Sequence, residues 1–348
     1  MLENKNIDAL IIGAGHNGLV CAYYLAKAGL NVHIFEQRHI VGGAAVTEEF
    51  HPGFRNSVAS YTVSLLNPQV INDMKLKKYG LSIVKRPISN FLPINNTNYL
   101  KLGGGLEKTQ AEFRKFSERD ANRLPDYYDR IEAVADVLRD LSIKTPPNPK
   151  QGIKALIGAA LQAWPIVKKG NQVHKDVYDL FTKSARSFLD SWFENEHIKA
   201  AFGFDAIVGN YASPDTPGSA YVLLHHVFGE VDGEKGAWGH AIGGMGAITQ
   251  AMQQACMDVG VKITTSAPVK KVMVDNKKVT GIQLENGDII NASKVISNLN
   301  PTLLYKKLID QNDLSEEFNR SMDGYKSGSG TFRMNVALSE LPDFTSLP

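Results

Sequence analysis

The sequence predicts an α/β fold: a Rossmann-like domain into which a second, mostly helical domain is inserted. Three observations support this prediction. At the N-terminus a strand, a glycine-rich turn, a helix and a second strand follow one another within about 30 residues. Helical patterns dominate from about Pro87 to Glu230. From Gly239 onwards the chain returns to alternating helix and strand patterns.

The first strand is the apolar run Ile7 to Ile12, which is typical of a strand buried on both faces. Asn17 to Ala28 has helical spacing and ends at Gly29, a typical C-cap residue. Asn31 to Glu36 is the second strand. Together they predict a βαβ unit with a parallel sheet.

Local patterns also predict the elements of the middle and C-terminal regions. In the middle region, helical spacing predicts helices over 107–141, 154–169 and 173–193. After Gly243-Gly244-Met245-Gly246 a helix is expected through Val259. Turn residues then separate four short strands, predicted over 269–274, 279–284, 289–292 and 295–297.

Composition excludes several functional classes. The 348 residues suggest two domains, and the formal net charge of +2 does not favour nucleic-acid binding. Cys21 and Cys256 are the two cysteines, so a Cys-x-x-Cys disulfide is excluded, and no metal site is predicted. The pattern fits a reducing compartment, and no signal peptide is recognisable. We therefore expect a cytoplasmic protein with, at most, peripheral membrane contact.

The turn Gly13-Ala14-Gly15-His16-Asn17-Gly18 is the clearest chemical motif. Its first glycine makes the tight turn, the second lets the backbone approach a pyrophosphate, and the third lets helix and sheet pack closely. The phosphates are then expected at a helix N-terminus, where N–H groups and the helix dipole favour an anion. Because the motif follows a strand and opens a helix, it predicts dinucleotide binding.

Glu36 ends the second strand, where an acidic residue hydrogen-bonds a ribose hydroxyl and disfavours NADP. The alternative is a solvated carboxylate at a strand end. Arg38 is expected near the adenine or the phosphates, or else as an exposed arginine.

Two features favour FAD over NAD. Gly42-Gly43 would bring a second loop to the same cofactor, and a small meander beginning at Val269 is typical of the glutathione-reductase type of FAD domain. The rival interpretation is an NAD-linked dehydrogenase.

Three blocks carry a family resemblance: DALIIGAGHNGLVCAYYLAKAGLNVHIFEQRHIVGGAAVTEEFHPGF, WGHAIGGMGAITQAM and VISNLNP. They resemble the phytoene-desaturase-like flavoproteins. The resemblance implies a non-covalent FAD and a hydride removed from a C–H bond of a small apolar or polyene-like substrate onto the flavin. The electron acceptor is not specified.

On matching positions the resemblance implies that FAD is held by Gly13, Gly15, Gly18, Glu36, Gly42 and Gly43. Asn17 and Arg38 are two further candidate cofactor-binding residues. It also implies that the Val269 backbone contacts the adenine, and that Gly244 and Met245 lie near the flavin and substrate. The FAD-binding domain is then expected at 1–86 and 231–300, and the substrate domain at 87–230 and 301–348. Since family members continue past FRMNVALSELPDF to a further glycine-rich block, the chain is expected to be a fragment. The alternative to an oxidoreductase is a non-catalytic or inactive flavin-fold fragment that binds a partner or lipid.

Smaller signals leave alternatives open. His16 is interpreted as a residue tolerated within the turn. His225-His226 could act as an acid or base, although a hydrogen-bonded core position is more common. The apolar segment at 155–169, with Trp164 and two terminal lysines, is either a membrane-surface helix or a buried one. No catalytic residue is identified, and flavin hydride transfer requires none.

Overall fold

The structure is a computed structural model that describes residues 7–148, 152, 157–161 and 167–347. The chain divides into two compact units. Unit 1 comprises Met1–Val84, His240–Gly328 and Arg333–Ala337. Unit 2 comprises Lys85–Gly239, Ser329–Phe332 and Leu338–Pro348.

The described residues contain the following elements. The strands are β1 Ala9–Ile12, β2 Val32–Phe35, β3 Thr47–His51, β4 Phe54–Ser57, β5 Ile83–Lys85, β6 Asn90–Pro93, β7 Tyr99–Leu102, β8 Glu230–Val231, β9 Glu234–Lys235, β10 Gly239–Ala241, β11 Lys262–Thr264, β12 Val269–Asp275, β13 Lys278–Leu284, β14 Ile289–Asn291 and β15 Val295–Ser297. The α-helices are α1 His16–Lys27, α2 Pro68–Asp73, α3 Leu106–Arg114, α4 Glu118–Ser142, α5 Asn171–Thr182, α6 Ala185–Asp190, α7 Glu196–Ile207, α8 Gly246–Asp258, α9 Pro301–Leu303 and α10 Glu316–Asp323. Short 3₁₀ helices include Ala220–His226.

Unit 1 is built on a four-stranded parallel sheet with the order β11-β2-β1-β15. Ile11 of β1 pairs with Ile34 of β2 and with Ile296 of β15. The predicted βαβ unit is therefore confirmed, and β15 is the later strand expected at 295–297.

Alternate residues of β1 face two different cores, as the pleat of a strand requires. Ala9 and Ile11 pack with residues of α1 and α8 on one face. Leu10 and Ile12 pack on the other face with residues of the β12-β13-β14 meander. Unit 1 therefore has three layers, and its central strands are buried on both faces.

The segment 301–328 differs from its predicted assignment to the second domain. Leu304 and Leu308 pack with Leu10 and Phe35 against the sheet of unit 1. No local pattern predicts this placement, because the segment is short and its few apolar residues could cover either core.

Unit 2 has an aromatic core. Its members come mainly from α3 to α7, from the segment between α6 and α7, from β7 and from the 3₁₀ helix Ala220–His226. The largest are aromatic: Phe113, Tyr127, Phe188, Trp192, Phe193 and Phe202. The antiparallel hairpins β6-β7 and β8-β9 belong to the same unit. Helices dominate unit 2, but these small hairpins were not predicted.

Two of the long predicted helices are each broken once. Ser117 caps α4 by accepting a hydrogen bond from the Asp120 N–H, so the helix predicted over 107–141 is two helices. Ser184 caps α6 in the same way, which divides the helix predicted over 173–193. In both cases a serine side chain competes with the helical backbone for its N–H groups.

The segment at 155–169 lies largely outside the described residues. Within the described part of the chain, no helix is both long and apolar enough to cross a bilayer.

Candidate functional site

The glycine-rich turn lies in unit 1 between β1 and α1. Gly13 has a φ of 94°, and its N–H donates to the carbonyl of Phe35. A Cβ at Gly18 would lie 2.3 Å from the Gly13 carbonyl oxygen, so no larger residue fits. Close packing of the helix on the turn therefore depends on glycine, as the motif predicts.

The N-terminus of α1 is open to an anion. Gly15 is the N-cap, no side chain caps the helix, and its first turn has no acidic residue. The first N–H groups of a helix have no intrahelical acceptor and carry partial positive charge. This end of α1 therefore fits a pyrophosphate.

The second glycine pair lies against the first turn. Gly42 forms a parallel bridge with Gly15, and its N–H donates to the Ala14 carbonyl at 2.9 Å. Gly42 has a φ of 133°, and a Cβ at Gly43 would lie 3.1 Å from the Gly15 Cα atom. The structure thus brings the two predicted glycine loops together, with no room for side chains between them.

Glu36 lies directly after β2 and is buried, with 6% of its surface exposed. One carboxylate oxygen accepts from the Ala14 N–H at 2.7 Å, and the other from the Arg38 N–H at 2.9 Å. The carboxylate is therefore fixed beside the glycine turn. This geometry excludes a solvated carboxylate, and the ribose role of Glu36 stays a prediction.

Arg38 and Val269 lie at the same end of the sheet. The Arg38 guanidinium pairs with Glu48 at 2.6 Å, and the Arg38 carbonyl accepts from the Ser266 N–H. The Ala267 N–H donates to the Glu36 carbonyl. The segment that leads into Val269 is thus attached to the strand end that carries Glu36. Asn17 is exposed on the first turn of α1.

Gly244 and Met245 lie in the loop before α8, where Gly244 is half-buried and Met245 is buried. A Cβ at Gly244 would lie 2.4 Å from Thr47 Oγ1, and the Met245 N–H donates to Ser57 Oγ at 2.9 Å. The Gly246 N–H donates to Thr47 Oγ1 at 2.8 Å. Sequence reasoning missed Thr47 and Ser57, and only their small size beside the glycine loop could have signalled them.

His16 has an unexpected environment. Its Nδ1 atom is buried and has no hydrogen-bond partner among the described residues, and burial lowers the pKa of the imidazole. A buried polar atom without a partner needs an explanation. A cofactor in the adjacent turn would supply one, so the interpretation as a merely tolerated residue is less well supported.

A cavity of about 520 Å³ lies close to the same strand end. Sequence reasoning did not identify its polar lining, which includes His39, Gln250, Gln253, Gln254 and Thr265. Among the described residues, no cluster of three or more histidine, cysteine, aspartate or glutamate side chains could hold a metal ion.

His225 and His226 end the 3₁₀ helix Ala220–His226 in unit 2. His226 stacks on Tyr127, with ring centroids 6.0 Å apart. Its imidazole therefore lies against the aromatic core, and the structure does not place it in the same unit as the glycine turns.

Comparison with known proteins identifies the family. The model for flavin-containing amine oxidoreductases matches residues 18–331. Pyridine nucleotide-disulfide oxidoreductase domain-containing protein 2 of Rattus norvegicus is 37% identical over 98% of this chain and 61% of its own length. The lycopene-forming phytoene desaturase of Pantoea ananas is 24% identical over 96% of this chain and 64% of its own.

A solved structure agrees on the fold. Cyclohexylamine oxidase from Brevibacterium oxydans superimposes with a TM-score of 0.53 at 17% identity, over 92% of this chain and 63% of that one. The chain thus spans about three fifths of the length of the relatives it matches. The glycine turns, the open end of α1 and the buried Glu36 all fit FAD, in agreement with the flavin that the matching family model describes. The roles of individual residues in FAD binding stay predictions. The chain belongs to the flavin-containing amine oxidoreductase family and is related to phytoene-desaturase-like proteins.

Proposed function

We propose that the chain forms the FAD-binding part of an oxidoreductase that moves a hydride from a C–H bond of an apolar, polyene-like substrate to the flavin. The observation that carries the proposal is the convergence of three features within unit 1. These are the uncapped N-terminus of α1, the paired glycine loops and the buried carboxylate of Glu36.

Each feature has a distinct task in this proposal. The open end of α1 binds the pyrophosphate, and Glu36 accepts a hydrogen bond from a ribose hydroxyl. Gly42 and Gly43 allow the backbone to approach the cofactor without a side chain between them. Bound FAD supplies the hydride acceptor. The protein positions it and excludes water.

The arrangement of unit 1 supports an FAD domain of the glutathione-reductase type over an NAD domain. The meander β12-β13-β14 covers one face of the parallel sheet, and Gly42-Gly43 touches the first glycine turn. The chain from 85 to 239, which is rich in helices, would then be the substrate domain inserted into it. An apolar substrate is proposed because a relative is a phytoene desaturase.

Peripheral membrane contact is a further part of the proposal. Within the predicted segment 155–169, Ile157, Leu161 and Val167 belong to the described residues and are exposed by 56%, 69% and 53%. Exposed apolar side chains of this kind suit a lipid interface, from which a polyene would arrive.

The test begins with a visible absorption spectrum of the protein purified without added cofactor. Flavin bands at about 370 and 450 nm, released by heat as free FAD, are expected for this class of cofactor. Anaerobic addition of polyene substrates in lipid vesicles should then bleach the band at about 450 nm. A protein that binds NADH but not FAD would overturn the proposal. A protein that binds FAD but is never reduced would support the non-catalytic alternative.

A further inference from the structure

Arg333 is a half-buried cation of unit 1 that the proposed function does not use. Among the described residues, no carboxylate forms an ion pair with its guanidinium, and its Nη1 atom is buried without a hydrogen-bond partner. Arg139, which is half-buried in unit 2, pairs with Glu132 at 2.6 Å and with Asp136 at 2.8 Å. A partly buried charge without a counter-charge is unfavourable. The uncompensated charge of Arg333 therefore points to an anionic group that binds nearby.

Uncharged groups hold the Arg333 guanidinium in place. Its Nη2 atom donates to the Ser57 carbonyl at 2.8 Å, and its Nε atom donates to Asn335 Oδ1 at 3.3 Å. The guanidinium also lies 5.2 Å from the centroid of the Tyr61 ring. These contacts fix the position of the cation and leave its charge uncompensated. Little conformational freedom is then lost when negative charge develops beside it.

Ser57 connects Arg333 to the loop before α8. Its Oγ atom accepts from the Met245 N–H at 2.9 Å, while its carbonyl accepts from Arg333. Gly243 and Gly244 of this loop have φ of 87° and 83°, and their backbone carries no side chain that would block close approach. The N-terminal end of α8, which has no acidic residue in its first turn, adds partial positive charge next to the loop. Both features favour negative charge at this place.

The chain leads from the second glycine pair to this loop. Gly42 lies against the first glycine turn, and the 3₁₀ helix Gly43–Ala45 runs from it towards β3. At the start of β3, Thr47 Oγ1 accepts from the Gly246 N–H at 2.8 Å. FAD is a linear molecule in which the pyrophosphate separates the adenosine from the flavin. With the adenosine beside Glu36, as proposed above, the flavin is at the far end of the cofactor, on the side of this loop.

We propose that Arg333 stabilises the negative charge that FAD acquires when its flavin is reduced. A hydride adds two electrons and one proton to the neutral flavin, so the ring carries one negative charge, at its N1–C2=O end, until a second proton binds. A guanidinium nearby lowers the free energy of this anion and leaves the neutral oxidised ring almost unaffected. Arg333 thus raises the reduction potential of the flavin. The inference rests on the proposed function, because it requires that unit 1 binds FAD.

The test is a reductive titration of the FAD-loaded protein with dithionite under argon, against a reference dye. Arg333→Gln removes the charge and should make the equilibrium constant for two-electron reduction roughly 30-fold less favourable. Because a tenfold change corresponds to about 30 mV for a two-electron couple, the potential should fall by about 45 mV. Arg333→Lys keeps the charge and should stay within about threefold of the wild type. The control is Arg320→Gln, which removes the same charge from an exposed position on α10 and should leave the potential unchanged.

Proton uptake gives a second readout, which a merely structural role would not change. The pH dependence of the potential shows how many protons accompany the two electrons. The wild type should take up one proton between about pH 6 and pH 8, because the cation favours the anionic reduced ring. Arg333→Gln should take up two protons at the acidic end of this range. Two protons in the wild type throughout the range would overturn the proposal, even if no variant folds.

The outcomes separate this inference from the proposed function. A protein that binds FAD but has the same potential in Arg333→Gln as in the wild type overturns this inference alone. A protein that binds no FAD contradicts the proposed function and this inference with it. If the potential of Arg333→Lys falls as far as that of Arg333→Gln, the charge of Arg333 is not responsible, and the proposal is wrong.

Discussion

Glu36 in unit 1 and Asp205 in unit 2 are both buried carboxylates, but their environments are opposite. Glu36 accepts hydrogen bonds from two backbone N–H groups, those of Ala14 and Arg38. Asp205 Oδ1 accepts none from the described residues. The first carboxylate is therefore fixed by backbone donors of the protein, while one oxygen of the second has no donor among the described residues.

The comparison shows two ways of burying a carboxylate. In unit 1 the glycine turn and the chain after β2 supply backbone N–H groups to Glu36. In unit 2 the neighbours of Asp205 are His225 and His226, whose Nδ1 atoms also lack a hydrogen-bond partner among the described residues. Stability is expected to respond in opposite directions when the two carboxylates are neutralised.

The largest effect should follow from Gly18→Ala. The added Cβ would lie 2.3 Å from the Gly13 carbonyl, so α1 must move away from the turn. We expect a loss of about 3 kcal/mol in the free energy of unfolding and no retained FAD. Urea denaturation and the flavin spectrum would measure both. Gly203→Ala is the matched control, since a Cβ there meets nothing within 4 Å and Gly203 lies inside α7. That control should stabilise the protein by about 1 kcal/mol.

The next largest effect is on the pH dependence of the free energy of unfolding, through His33. Burial, and to a lesser extent the charge of Lys262, lowers the pKa of His33 from 6.5 to about 4. Its Nε2 atom is hydrogen-bonded to Thr264 Oγ1 at 2.8 Å. Because the unfolded state binds the proton more tightly, the stability from neutral His33 is complete above about pH 6.5 and is lost as the pH falls towards 4.

His33→Gln should remove part of this pH dependence. We expect the free energy of unfolding to fall by about 2 kcal/mol less between pH 7 and pH 4 in the variant than in the wild type. Denaturant titrations at the two pH values test this. His51→Gln, at an exposed position, should behave as the wild type does. A variant with the full wild-type pH dependence would show that His33 is not responsible.

Glu36→Gln should weaken FAD binding about tenfold to thirtyfold, since the new amide cannot accept from both N–H groups. The protein should also lose about 1 kcal/mol of stability. Fluorescence titration with FAD measures the affinity. Glu49→Gln is the control: Glu49 accepts from the Gly53 N–H but is exposed. Unchanged FAD affinity in Glu36→Gln would remove the ribose role from Glu36.

The smallest expected effect tests the comparison of Glu36 and Asp205 most directly. Asp205→Asn should raise the free energy of unfolding by about 1 kcal/mol, because it removes a buried charge whose Oδ1 atom has no hydrogen-bond partner among the described residues. Thermal unfolding measures the change. If Asp205→Asn destabilises the protein as Glu36→Gln does, the two carboxylates are alike and the contrast between the units is wrong.

The sequence alone determined much of unit 1. Gly13, Gly15, Gly18 and Glu36 lie within one continuous βαβ unit, so their spacing fixes their relative positions through local geometry. The strands at 269–297 were predicted from local sequence patterns. The family was predicted from the resemblance of three sequence blocks, and FAD from Gly42-Gly43, the meander and that resemblance. Local hydrogen bonding also explains why two predicted long helices are each divided into two. At Ser117 and at Ser184 the serine side chain caps the second helix.

Only the tertiary structure decided the rest. Thr47 and Ser57 reach the Gly244 loop across nearly 200 residues of sequence, and no local pattern signals such a contact. Asp205 looked like any polar residue of a helix until its burial and the nearby histidines were known. Local periodicity encodes which face of an element is buried, but not which distant side chains meet there, because those contacts depend on how separate elements pack.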